Sequence, residues 1–187
     1  MRIKYFILFF LVFSCQKIET INPIVFDNSQ LKKITIASSV IEINELYEMK
    51  FSEPYIDHSL QNSPLERLKL WMNENLNYIG NENKFIINIL DASLKRTELN
   101  NPEAKKFDEK IIYKYELFYL VEYSLYDNSN FLKASTTVES YRSTTSGMYI
   151  SLQEKERIID DLILLCLIDF TEESKKLIEE YMKKYIL

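Results

Sequence analysis

The run from Ile111 to Leu125 constrains this chain more than any other segment. Every second residue is apolar: Ile111, Tyr113, Tyr115, Leu117, Tyr119, Val121, Tyr123 and Leu125. A period of two places all eight on one face of an extended strand, predicted over 109–126. The other face mixes Lys114, Glu116 and Glu122 with Phe118 and Leu120, so only part of it can be buried. Such a strand needs sheet neighbours and a layer over its aromatic face.

Both are legible in the sequence. Lys33–Ile43 is rich in β-branched residues and alternates loosely, which predicts a first strand. Phe85–Leu94 predicts a second, and Phe131–Arg142 returns after the Asp127-Asn128-Ser129-Asn130 turn. Ser63-Pro64-Leu65-Glu66 is a capping box with proline at the first helical position. The helix it opens carries Leu65, Leu68, Trp71, Met72, Leu76 and Ile79 at helical spacing and is predicted to stop at Gly80. Ser151-Leu152-Gln153-Glu154 is a second capping box and opens a helix running to about Tyr185. Its stripe is read as Ile158, Leu162, Leu165, Cys166, Phe170, Leu177, Tyr181 and Ile186, with Thr171 able to break it near 169–172. The order β-α-β-β-β-α describes an α+β two-layer sandwich, a four-stranded sheet with both helices on one face. Trp71 and the long helix take the aromatic face as their floor.

The amino terminus carries a different message. Arg2 and Lys4 precede the nine-residue apolar run Tyr5–Phe13, and Ser14-Cys15 follow. A bilayer span needs about 20 apolar residues, so this run fits a secretory signal. Val12-Phe13-Ser14-Cys15 resembles the bacterial lipoprotein box, in which the cysteine is acylated and becomes the first mature residue. The resemblance makes Cys15 the lipidation site, with Phe13 a departure from the usual small or aliphatic residue. Gln16 after the cysteine favours outer-membrane delivery by enteric sorting rules. The expected organisation is a signal peptide over 1–14, a lipidated tether over 15–30 with Pro23, and a single α+β domain over 31–187. Loss of Arg2 and Lys4 takes the formal charge from −5 to −7. An acidic surface argues against nucleic acid and leaves the acyl chains to hold the protein at the membrane.

Scarcity excludes much chemistry. The two glycines, Gly80 and Gly147, cannot build a dinucleotide fingerprint or a phosphate-cradling loop. One histidine and two cysteines cannot build a His/Cys zinc site or a disulfide framework. No cofactor, metal or catalytic residue is therefore assigned. His58 could act as a general base only with an orienting acid and a nucleophile, and Asp57 or Asp91 are the acids available to it. Asp91 is unusual on an otherwise apolar strand. Cys166 falls on the apolar stripe of the last helix and reads as a core residue. The tyrosines at 113, 115, 119, 123 and 126 read as a core face first and a recognition face second.

The order of lipoprotein box, tether and β-α-β-β-β-α resembles the lipopolysaccharide-assembly lipoprotein E and the auxiliary lipoproteins of envelope ABC transporters. Pro54-Tyr55-Ile56-Asp57-His58, Ser63-Pro64, Trp71, Gly80 and Ile89-Leu90-Asp91-Ala92-Ser93 are similar to a family of uncharacterised alphaproteobacterial envelope proteins, with Ile-Asp standing for Val-Glu. These resemblances imply a non-enzymatic accessory or binding module of an envelope assembly or transport complex, one that handles lipid or glycolipid among its options. It would be anchored by lipid, face the periplasm and meet a membrane-protein partner. A small hydrolase using His58 with Asp57 or Asp91, and a structural envelope lipoprotein, are the alternatives.

Overall fold

In the computed structural model, residues 28–105 and 109–185 are described. The expected signal peptide, Cys15, the expected tether up to residue 27 and Ile186 lie outside them. A single 3-10 turn, Asn28–Gln30, leads into the elements. They run β1 (Ile34–Ile36), β2 (Val40–Glu45), α1 (Pro64–Asn75), β3 (Leu76–Tyr78), β4 (Lys84–Asn100), β5 (Ile111–Tyr126), β6 (Leu132–Gly147) and α2 (Leu152–Tyr181). The main sheet has the order β2-β4-β5-β6, with β2 parallel to β4 and the other pairs antiparallel. This is the α+β fold expected, plus a small parallel sheet of β1 and β3.

Several boundaries differ from expectation: β4 runs on to Asn100, β6 runs on to Gly147, and α2 stops at Tyr181. Two further differences share a related cause. The predicted first strand is two strands: β1 leaves the main sheet to pair Ile34 with Leu76 and Ile36 with Tyr78, and the chain re-enters at Val40. The first helix correspondingly ends at Asn75, because Leu76–Tyr78 is extended against β1. Gly80 therefore follows a strand instead of capping a helix. A Cβ there would lie 3.3 Å from the Ser38 backbone nitrogen, so glycine permits the close approach of the two segments.

The capping box at Ser63 forms as read: the Ser63 hydroxyl accepts from Glu66 N–H, and the Glu66 carboxylate accepts from Ser63 N–H. At α2 only half of the expected box forms, the Ser151 hydroxyl accepting from Glu154 N–H. The long helix is continuous through 169–172. Thr171 bonds back to the Ile168 carbonyl at 3.0 Å and does not recap the chain.

Both helices cover one face of the sheet. Phe85, Ile87, Ile89, Ala92 and Leu94 of β4 and Tyr115 to Leu125 of β5 at alternate positions are fully buried there. Trp71 meets Phe170 edge-on at 5.8 Å, donates to the Lys32 carbonyl, and shares Phe170 with Tyr119. The tyrosine hydroxyls find partners: Tyr119 donates to the Pro64 carbonyl at 3.1 Å, and Tyr123 pairs with Ser174 at 3.1 Å. Burial holds both phenols well above their ordinary pKa. Cys166 is buried as expected, and its thiol is pushed up to about 11 by burial. The α2 stripe is rotated from the one read in the sequence. Ile159, Ile163, Leu167 and Ile178 enter the core, whereas Leu165 and Tyr181 are 45% and 57% exposed.

Candidate functional site

The face of the sheet away from the helices is where this fold leaves chemistry accessible. One irregularity shapes it. Between Ile89 and Asp91 the register of β4 against β5 shifts by one residue, so that Leu90 is extra and Leu90 and Asp91 both stay out of the core. The bulge explains the odd aspartate: Asp91 opposes Leu120, and its carboxylate accepts the Ser93 N–H at 2.8 Å.

Beyond the bulge, register pairs Ser93 with Phe118 and Lys95 with Glu116, and on the other side pairs Phe118 with Tyr141. These residues line a shallow hollow of about 340 Å³, bounded by Asp91, Ser93, Lys95, Glu116, Phe118 and Tyr141. Its aromatic floor is flanked by two carboxylates and an ammonium group. Glu116 accepts from Lys114 Nζ at 2.7 Å and from the Tyr141 hydroxyl at 2.6 Å. Lys114 first, and then Tyr141, hold its carboxyl below the ordinary range, so it is ionised. Toward β2 a polar ladder crosses the same face: Asn44 donates to Asn88, and Asn88 donates to Glu122. The arrangement suits recognition of a ligand or partner with both apolar and polar groups.

A second hollow of about 350 Å³ lies at the sheet end, among Glu53, Pro54, Arg96, Thr97, Glu98 and Tyr113. There the Arg96 guanidinium sits over the Tyr113 ring at 4.8 Å.

The residues considered for hydrolysis are put to different uses. His58 is exposed, with Nδ1 3.2 Å from the Lys50 carbonyl and its ring beside Phe51. Asp57 turns inward, 1% exposed, and accepts from the Tyr47 hydroxyl at 2.9 Å. Burial, reinforced by Asp57, raises the Tyr47 pKa. Among the described residues no hydrogen bond joins His58 to Asp57 or Asp91. That leaves the histidine without the oriented acid that base catalysis needs. The other Asp57 oxygen and the Ser38 hydroxyl are buried without a partner. Among the described residues no group of three His, Cys, Asp or Glu side chains could hold a metal ion. No helix there is long and apolar enough to cross a membrane.

Asp91 was visible in the sequence as an anomaly. Lys95 and Tyr141 were not, because only the bulge and the β5–β6 register bring them beside Phe118.

No protein-family model and no curated protein matches the chain. Several solved structures do. A minor lipoprotein from Acinetobacter baumannii aligns over 87% of this chain and 96% of its own, at 13% identity and a TM-score of 0.43. A Xanthomonas campestris protein of the DUF330 family aligns over 81% and 88%, at 10% identity and a TM-score of 0.39. The rare lipoprotein B from Shewanella oneidensis aligns over 75% and 98%, at 16% identity and a TM-score of 0.36.

Proposed function

We propose that this chain is a bacterial envelope lipoprotein, anchored through acylated Cys15, that acts as a non-enzymatic accessory or binding module of an envelope assembly or transport complex. The observation that carries the reading is the open sheet face. Phe118 and Tyr141 lie there beside Asp91, Lys95 and Glu116, while Tyr115, Tyr119 and Tyr123 of β5 are consumed by the core. The basic head, short apolar run and Val12-Phe13-Ser14-Cys15 supply the anchor. The outer membrane is favoured by Gln16, and the domain would face the periplasm on its tether. A lipid or glycolipid cargo of the partner complex suits the mixed apolar and polar character of the hollow.

The anchor is tested by Cys15→Ser, expected to move the protein from the membrane to the soluble fraction and to abolish the acylation mobility shift. Unchanged fractionation and mobility would refute it. The binding role is tested by a photo-crosslinking residue at Thr137 or Ser143, both exposed on the open face. In intact envelopes it is expected to capture a specific membrane protein other than a second copy of this chain, with the yield reduced by Phe118→Ser. An absence of adducts from both positions would overturn the role.

A further inference from the structure

Strand β6 ends the main sheet, and its outer edge has no backbone partner among the described residues. Proteins usually blunt such edges with prolines, bulges, charges or short strands, because a long regular edge invites pairing. Here the only register shift lies at the turn end, where Tyr126 pairs with Leu132 and Leu125 with Ala134. From Ala134 to Ser146 the strand is regular for thirteen residues, without proline and with only Glu139 and Arg142 charged. Arg142 is neutralised by Asp169 of α2, with Nη2 2.9 Å from Oδ1. The opposite edge is different: β2 is six residues long and carries Glu42 and Glu45, each paired with a lysine.

The unprotected edge is also self-complementary. Ser135-Thr136-Thr137 and Ser143-Thr144-Thr145 lie symmetrically about Ser140, close to the middle of the regular run. We propose that β6 pairs antiparallel with β6 of a second copy of this chain about a two-fold axis at Ser140, joining two four-stranded sheets into one of eight. In that register each Ser-Thr-Thr triplet faces the triplet of the second copy, Thr136 opposite Thr144, and such hydroxyl pairs stabilise neighbouring strands. Glu139 falls opposite Tyr141, and Arg142 opposite Val138. An axis at Glu139 or Arg142 would instead oppose like charges, which selects against those registers.

The helix above the edge supplies the second contribution. Ser140 donates to the Cys166 carbonyl at 3.0 Å, which sets this part of α2 over the centre of the strand. Leu165 is next in sequence to Cys166 and one helical turn before Asp169, so it shares the flank that reaches Arg142. It is 45% exposed, and Ile158, two turns earlier on that flank, is half-buried. Pairing the strands brings these flanks of the two copies toward each other and covers both leucines. The open face is left free, so the dimer does not depend on what that face binds.

The test uses the full-length chain. In detergent at concentrations on the order of 100 µM, light scattering is expected to give twice the protein mass of one processed chain, and Leu165→Glu to weaken dimerisation at least about tenfold. In membranes of expressing cells, the combined variant Glu139→Cys, Tyr141→Cys is expected to form a covalent dimer under mild oxidation. Directly opposed strand positions lie within disulfide reach. Glu122→Cys, in the middle of the sheet, is expected to form none. A monomeric mass at that concentration overturns the proposal, as does a folded cysteine pair that fails to cross-link. If the cysteine pair disturbs folding by circular dichroism, an unchanged dimer in Leu165→Glu overturns the proposal on its own.

Discussion

The two faces of β5 come from one segment and meet opposite fates. On one, Tyr115, Leu117, Tyr119, Val121, Tyr123 and Leu125 are at most 1% exposed under the helices. On the other, Phe118 and Leu120 are half-buried among Glu116, Glu122 and their partners, with no layer above them among the described residues. The same residue class therefore does different work on each side. Aromatic rings on the covered face add transfer energy and close packing, and their hydroxyls need designated acceptors. Aromatic rings on the open face add little to folding and remain available for contact.

This contrast can be broken most severely at Phe170, which holds Trp71 and Tyr119 together. Phe170→Ala is expected to cost about 3–5 kcal/mol in denaturant unfolding. Phe118→Ala should cost less than half as much. Equal losses would show that the open face is covered in the native protein. The next effect belongs to Tyr47→Phe, which strips the buried Asp57 carboxylate of its hydrogen-bond donor and is expected to cost about 1–3 kcal/mol. A loss below about 0.5 kcal/mol in the same unfolding measurement would mean that the Asp57 carboxylate is hydrated or otherwise satisfied.

A smaller effect separates two phenols. Tyr123→Phe leaves the buried Ser174 hydroxyl without its partner and is expected to cost about 1 kcal/mol. Tyr141→Phe removes an exposed bond and should stay within about 0.5 kcal/mol. Melting temperatures of the two variants decide whether the faces differ as stated.

The smallest expected effect is on pH dependence. The folded-state pKa of Glu116 is lowered, so its contribution is complete above the ordinary Glu value of 4.5 and is lost as pH falls through the lowered folded value. Lys114→Met should therefore reduce stability at neutral pH and flatten its decline in the acid range. A stability difference from the parent that persists unchanged in strong acid would assign the effect to packing.

Much of this was legible in local pattern. The alternation of β5, both serine caps, the Asp127 turn and the core role of Cys166 follow from periodicity and capping chemistry that act within a few residues. The split of the first strand did not show, because Ile34–Ile36 leaves the main sheet for Leu76–Tyr78, a partner forty-two residues away. For the same reason Leu76 and Ile79 fit a helical stripe they do not join. Leu165 and Tyr181 looked like core because periodicity defines an apolar arc wider than the one the sheet covers.

What the sequence determined by itself is the class: an aromatic-faced sheet needing a helical cover. The scarcity of glycine, histidine and cysteine also argues against a dinucleotide fingerprint, a phosphate-cradling loop and a His/Cys zinc site. The tertiary structure alone decided which apolar residues remain outside. A bulge at Leu90 and the register of three strands gather Asp91, Lys95, Glu116, Phe118 and Tyr141, and the end of the sheet leaves the outer edge of β6 without a strand partner among the described residues. Local pattern specifies which side chains seek burial, whereas strand pairing specifies which of them receive it.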